Sequence, residues 1–144
     1  MRGFTKLLCI FGLAIVPLID AALACGAIDG KGYRCMSGPG SGSGGLAAEL
    51  FFYFEDKHVH RAYLDTALQS TQIETEDLGP YLMTEGGMSW PDGYNLNKEE
   101  LLLSVAGDPN ISYACILMVQ PLVEILAHFE PILDDLNAAN GAAE

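Results

Sequence analysis

Positive charge is what this sequence has least of. Seven Lys and Arg stand against nineteen Asp and Glu in 144 residues, a formal net charge of −12. Nucleic acids and anionic lipid surfaces are bound chiefly by basic side chains, so neither is expected as a partner. Histidine is also scarce, with three residues in the whole chain. No Gly-x-Ser-x-Gly or His-Glu-x-x-His context occurs, and Gly is never followed by the Lys-Ser/Thr pair of a phosphate-binding loop. Ser, His and Asp are present, as in almost any chain of this length, but no spacing organises them for catalysis. Neither a catalytic motif nor a cofactor is therefore expected. A membrane-spanning stretch is lacking too, since the apolar run Leu7 to Ile19 is thirteen residues and a span needs about twenty.

That run has another meaning. Arg2 and Lys6 precede it, and Ala22-Leu23-Ala24 follows as a small-x-small cleavage site, which together make a secretory signal over residues 1–24. The mature chain then begins at Cys25 and leaves five basic residues against eighteen acidic ones, a formal charge of −13. Such a surface is either simply well solvated or steers a basic partner inward. Export to the periplasm, cell envelope or medium implies an oxidising compartment, where cysteines pair. Cys9 leaves with the signal, so Cys25, Cys35 and Cys115 remain. Cys35 and Cys115 fall in what read as the first and last strands, and joining them is the expected pairing. Closing a loop of that length stabilises by about 4 to 5 kcal/mol in the chain-entropy account. Cys25 is then the odd one, at the position a bacterial lipoprotein acylates, and a lipid there would be the one further membrane contact. A Cys25–Cys35 bridge with Cys115 free is the competing arrangement.

The mature chain reads as one domain organised around Leu50-Phe51-Phe52-Tyr53-Phe54-Glu55-Asp56-Lys57-His58-Val59-His60-Arg61-Ala62-Tyr63-Leu64. As a hairpin turning over Glu55 to His58, it sets Phe54 opposite Val59, Phe52 opposite Arg61 and Leu50 opposite Tyr63. Its first strand is apolar on both sides and requires a cover on its second face. A helix starting at Leu46 is the rival, but four consecutive polar residues would cut its apolar stripe. Before the hairpin, Tyr33 to Met36 is a candidate strand and Ser37 to Gly45 a Gly-rich connection. After it, Thr71 to Glu76 reads as a mostly solvated strand. Turn signals at Gly79-Pro80, Glu85-Gly86-Gly87, Pro91-Asp92-Gly93 and Asp108-Pro109-Asn110 then separate short apolar runs, an antiparallel meander. Trp90 is expected to plug the core with its N–H on a backbone carbonyl.

At Pro121 the period changes. Leu122, Leu126, Phe129, Leu133 and Leu136 form a helical stripe, and Pro131 should divide it, with Asp134 and Asp135 near the start of a second short helix. The domain plan is thus a signal at 1–24, an N-terminal segment and linker at 25–45, a β-rich core at 46–119, helices at 120–138 and a tail at 139–144. The fold class is α+β: an antiparallel meander or small barrel covered by C-terminal amphipathic helices.

His58 and His60 are two apart on a strand and so share a face, where Glu55 can join them from across the hairpin; they are the candidate metal ligands. Tyr33-Arg34-Cys35, the strand Phe52 to Val59 and a late strand bearing Cys115 resemble the C-type lysozyme inhibitors. These are exported bacterial β-domains whose Tyr-x-Cys first strand is bridged to a late cysteine. The resemblance covers about a third of the chain and carries over no functional residue. It implies a non-catalytic binding protein of the bacterial envelope, with a basic protein as partner. The alternatives are a metal-assisted hydrolase using His58 and His60, and a structural envelope lipoprotein anchored at Cys25.

Overall fold

The computed structural model describes residues 28–38, 49–66 and 71–141. The signal segment, Cys25 and most of the Gly-rich connection lie outside these residues. Nine strands form one sheet: β1 (Gly32–Ser37), β2 (Glu49–Glu55), β3 (His58–Asp65), β4 (Gln72–Pro80), β5 (Leu82–Met83), β6 (Gly87–Trp90), β7 (Tyr94–Asn97), β8 (Leu102–Val105) and β9 (Asp108–Met118). One helix, α1 (Pro121–Gly141), ends the described chain.

The sheet order is β4-β3-β2-β1-β9-β8-β7-β6-β5, and every pairing is antiparallel. Following the directions around that order, β4 and β5 run the same way, and only Tyr81 separates them. They therefore act as one long strand that pairs with β3 first and with β6 afterwards. The result is a nearly closed up-and-down barrel of eight strand positions, an arrangement in which side chains can fill the interior. A register shift opposite Val59 and His60 leaves Leu78 without a ladder partner, and Gly79 takes φ +100 beside it. This bulge bends β4 toward the opposite edge.

Alternation along β2 explains the two cores. Phe52 and Phe54 point into the barrel with Tyr33, Val59, Met88 and Trp90. Phe51 and Tyr53 point outward and meet Ala62, Met118, Ile125 and Phe129 beneath α1. The hairpin register is the expected one: Phe54 faces Val59, Phe52 faces Arg61 and Glu55 faces His58. Inside, Phe52 contacts Trp90 and Tyr94 at ring-centroid distances of 5.2 and 5.3 Å, edge to face.

Cys35 and Cys115 lie directly opposite each other on β1 and β9 and are disulfide-bonded, with Cα atoms 4.0 Å apart. The Cys115 N–H donates to the Leu101 carbonyl at 2.7 Å, on the side away from β1. The two cysteines thus form a non-hydrogen-bonded pair, the closer of the two antiparallel spacings. Their bond rules out a Cys25–Cys35 bridge.

Three local expectations need correction. The helix is continuous through Pro131, not divided there. Pro131 and Ala127, the residue whose carbonyl loses its donor, are both exposed, so water can satisfy that oxygen. Asp134 and Asp135 consequently lie within the helix, in solvent. The buried stripe is Pro121, Ile125 and Phe129, whereas Leu122 and Leu126 are more than half exposed. The start of the helix fixes this rotation: the Glu124 carboxylate accepts the Val119 and Gln120 N–H groups, both at 2.9 Å, and Pro121 packs at Gly32. Finally, the β8–β9 turn falls at Ala106-Gly107, not at Asp108 to Asn110, because Gly107 supplies the left-handed φ of +91.

Candidate functional site

The β2–β3 turn is built from Asp56 and Lys57, both with positive φ (51 and 65). Two successive left-handed residues match the right-handed twist of the flanking strands. The turn projects Glu55 and Asp56 into solvent. Alongside it, the Gly30 N–H donates to the Phe54 carbonyl at 2.7 Å and the Phe54 N–H to the Lys31 carbonyl at 2.9 Å. These bonds hold Asp29 at the hairpin tip, where its Oδ1 accepts the Tyr81 hydroxyl at 3.0 Å.

His58 and His60 share the outer face of β3, as their spacing predicts, but each ring already has a neighbour. The His58 Nδ1 is 2.8 Å from Asp77 Oδ2. The His60 ring stacks on Tyr53, centroids 4.8 Å apart. Asp77 also accepts the Gly79 N–H at 2.8 Å, within the bulge. Its hydrogen bond with His58, and then that with Gly79, hold the Asp77 carboxyl below the usual carboxylate range. Among the described residues, no group of three His, Cys, Asp or Glu is disposed to hold a metal ion. Glu55 stands opposite His58 in the ladder, as expected.

Two hollows meet on Glu55 and Asp56. The smaller, about 240 Å3, is completed by His58, His60 and Asp77. The larger, about 430 Å3, has Asp29, Glu55 and Asp56 along one side and Val119, Leu122 and Val123 along the other. Four carboxylates thus surround one end of the barrel.

Two further polar clusters were invisible in the sequence. Glu49 bridges Arg34 on β1 and His128 on α1, the latter at 3.1 Å, and so ties the helix to the sheet. Arg34 lies 5.7 Å from the Phe51 ring centre, over its face. Arg61 lies on the barrel-lining face of β3, opposite Phe52, and pairs with the exposed Glu76 at 2.6 Å. Burial weighs against its charge, but Glu76 and Tyr94 outweigh that and raise its pKa. Neither cluster has a spacing or motif that announces it; each depends on the register between distant strands.

Trp90 is a core residue and not an exposed platform, as expected, but among the described residues its Nε1–H finds no carbonyl or other partner. The flat surface it might have offered is taken up by Phe52, Phe54 and Tyr94.

Comparison of the chain with protein-family models, with curated proteins and with solved structures gave no match.

Proposed function

We propose that this is an exported, non-catalytic binding protein of the bacterial envelope that recognises a basic protein through the acidic end of its barrel. The observation that carries this reading is the gathering of Asp29, Glu55, Asp56 and Asp77 around the β2–β3 turn. A cationic partner gains there from several carboxylates at once, and the overall negative charge steers its approach. The Cys35–Cys115 bond fits an oxidising compartment. Among the described residues, no helix is long and apolar enough to cross a membrane. A metal-assisted hydrolase using His58 and His60 has less support, because Asp77 and Tyr53 already engage those rings. Anchoring through a lipid on Cys25 is compatible with binding, and mass spectrometry of the mature N-terminus tests it.

Titration of the mature protein against a panel of basic lysozymes tests the main reading, by calorimetry and by residual lytic activity. Binding should be tightest at low salt and weaken steeply as added ions screen charges beyond about 8 to 10 Å. Absence of binding to every basic protein at ~20 mM salt, where surface attraction is strongest, would sink it.

A further inference from the structure

We propose that the larger hollow, between the β2–β3 turn and the start of α1, is the docking site for a cationic amphipathic segment of the partner. The inference rests on the basic-protein reading above and names where and how that partner binds. Val119, Leu122 and Val123 are 65, 55 and 61% exposed. Three such side chains on one wall of a hollow form an apolar surface that the described residues leave uncovered. The opposite wall carries Asp29, Glu55 and Asp56, and among the described residues no Lys or Arg lines the hollow.

The two walls together select the occupant. A purely apolar partner would desolvate three carboxylates without replacing their water. A bilayer containing anionic lipid would be repelled by them. A second copy approaching across a twofold axis would bring the same lining, with no Lys or Arg to pair with the carboxylates. A segment with Leu-like residues on one side and Lys or Arg on the other satisfies both walls, in the manner of an amphipathic helix laid in a groove. At the start of α1, Glu124 accepts the N–H groups of Val119 and Gln120, just before the helix, and its carboxylate offsets the positive helix end that would otherwise oppose this cation.

The test titrates two probes into the full mature protein at low salt: a synthetic amphipathic helix of Leu and Lys, and an oligolysine of equal charge. The variants are L122S/V123S and E55Q/D56N, all at exposed positions, and Asn at 56 tolerates the left-handed turn conformation. Thermal unfolding establishes that both variants are folded. The amphipathic peptide should bind the unaltered protein, and each variant should bind it about ten-fold more weakly or worse. Oligolysine should bind the unaltered protein more weakly than the amphipathic peptide by a similar factor. Unchanged affinity in either variant, or equal affinity for the two probes, overturns the proposal. So does binding to zwitterionic vesicles in place of the peptide, or a concentration-dependent dimer abolished by L122S/V123S. A basic lysozyme titrated in parallel separates the two readings. If it binds all three proteins equally, the docking site falls and basic-protein recognition stands; if neither lysozyme nor peptide binds, both fall.

Discussion

Asp77 and Gly32, on one row of residues across β1 to β4, show how single residues set the geometry at one end of the barrel. Asp77 accepts from both His58 and the bulge backbone, which favours its charged form. A carboxyl whose folded pKa lies below its unfolded value adds stability above the unfolded pKa, and loses it as pH falls through the folded one. Asp77→Asn should therefore lower the thermal midpoint slightly above pH 5, because the site is exposed. That difference should vanish as pH falls below about 4, the ordinary Asp range, and on through the depressed folded value. A difference independent of pH between 7 and 2 would show that the carboxylate charge is not what matters. Gly32 is demanded by packing. A Cβ there would run into the Phe52 carbonyl oxygen and lie 2.8 Å from the Pro121 Cβ. Gly32→Ala should cost about 1 to 3 kcal/mol in urea unfolding, the usual penalty of overpacking, by lifting the start of α1 from β1. The sequence marks Gly32 only as one of several glycines, since the helix that crowds it is ninety residues further along.

Among the elements, β2 was the most legible and α1 the least. Five consecutive apolar side chains bounded by a polar turn admit few alternatives, so the hairpin register followed from alternation alone. The same double-sided apolarity required a cover, and α1 supplies it. Rotation of that helix could not be read from its period, because its apolar surface is wider than the face the sheet buries. Leu122 and Leu126 form the ridge beside Pro121, Ile125 and Phe129, yet only the latter ridge is buried. Which part of a wide stripe turns inward depends on the local Glu124 cap and on the tertiary approach of Pro121 to Gly32. Pro131 is tolerated for a related reason, since its cost is local, the turns before it are anchored by Ile125 and Phe129, and the Ala127 carbonyl it strands faces water. That cost should be recoverable. Pro131→Ala, at an exposed position, should raise stability by about 1 to 3 kcal/mol, seen as a higher thermal midpoint. No gain would mean that the proline ring does not strain this helix. The acidic end of the barrel was half legible: Glu55, Asp56 and His58 followed from the hairpin, whereas Asp29 and Asp77 joined them only through the Gly30–Phe54 bond and the β4 bulge.

For the molecule as a whole, closure depends on two features of different kinds. The long β4–β5 strand closes the barrel through hydrogen bonds and a change of partner, and the Cys35–Cys115 bond fastens β1 to β9 covalently. With 80 residues separating the cysteines, replacing both by Ala should cost about 4 kcal/mol, measured as a lower urea midpoint. A loss well under about 1 kcal/mol would mean that the unfolded chain is already compact without the bond.

The position of that bond has a consequence for damage. Every connection from β1 through β9 lies between the two cysteines, apart from the ends of those two strands themselves. Any single protease cut between them divides the backbone but separates nothing. The two pieces stay joined at the centre of the sheet, each with several strands still paired to its neighbours. A nicked molecule should therefore migrate as one species on a gel without reductant and as two with it. Wherever proteases reach the protein, the staple turns a severed loop into a tolerated scar.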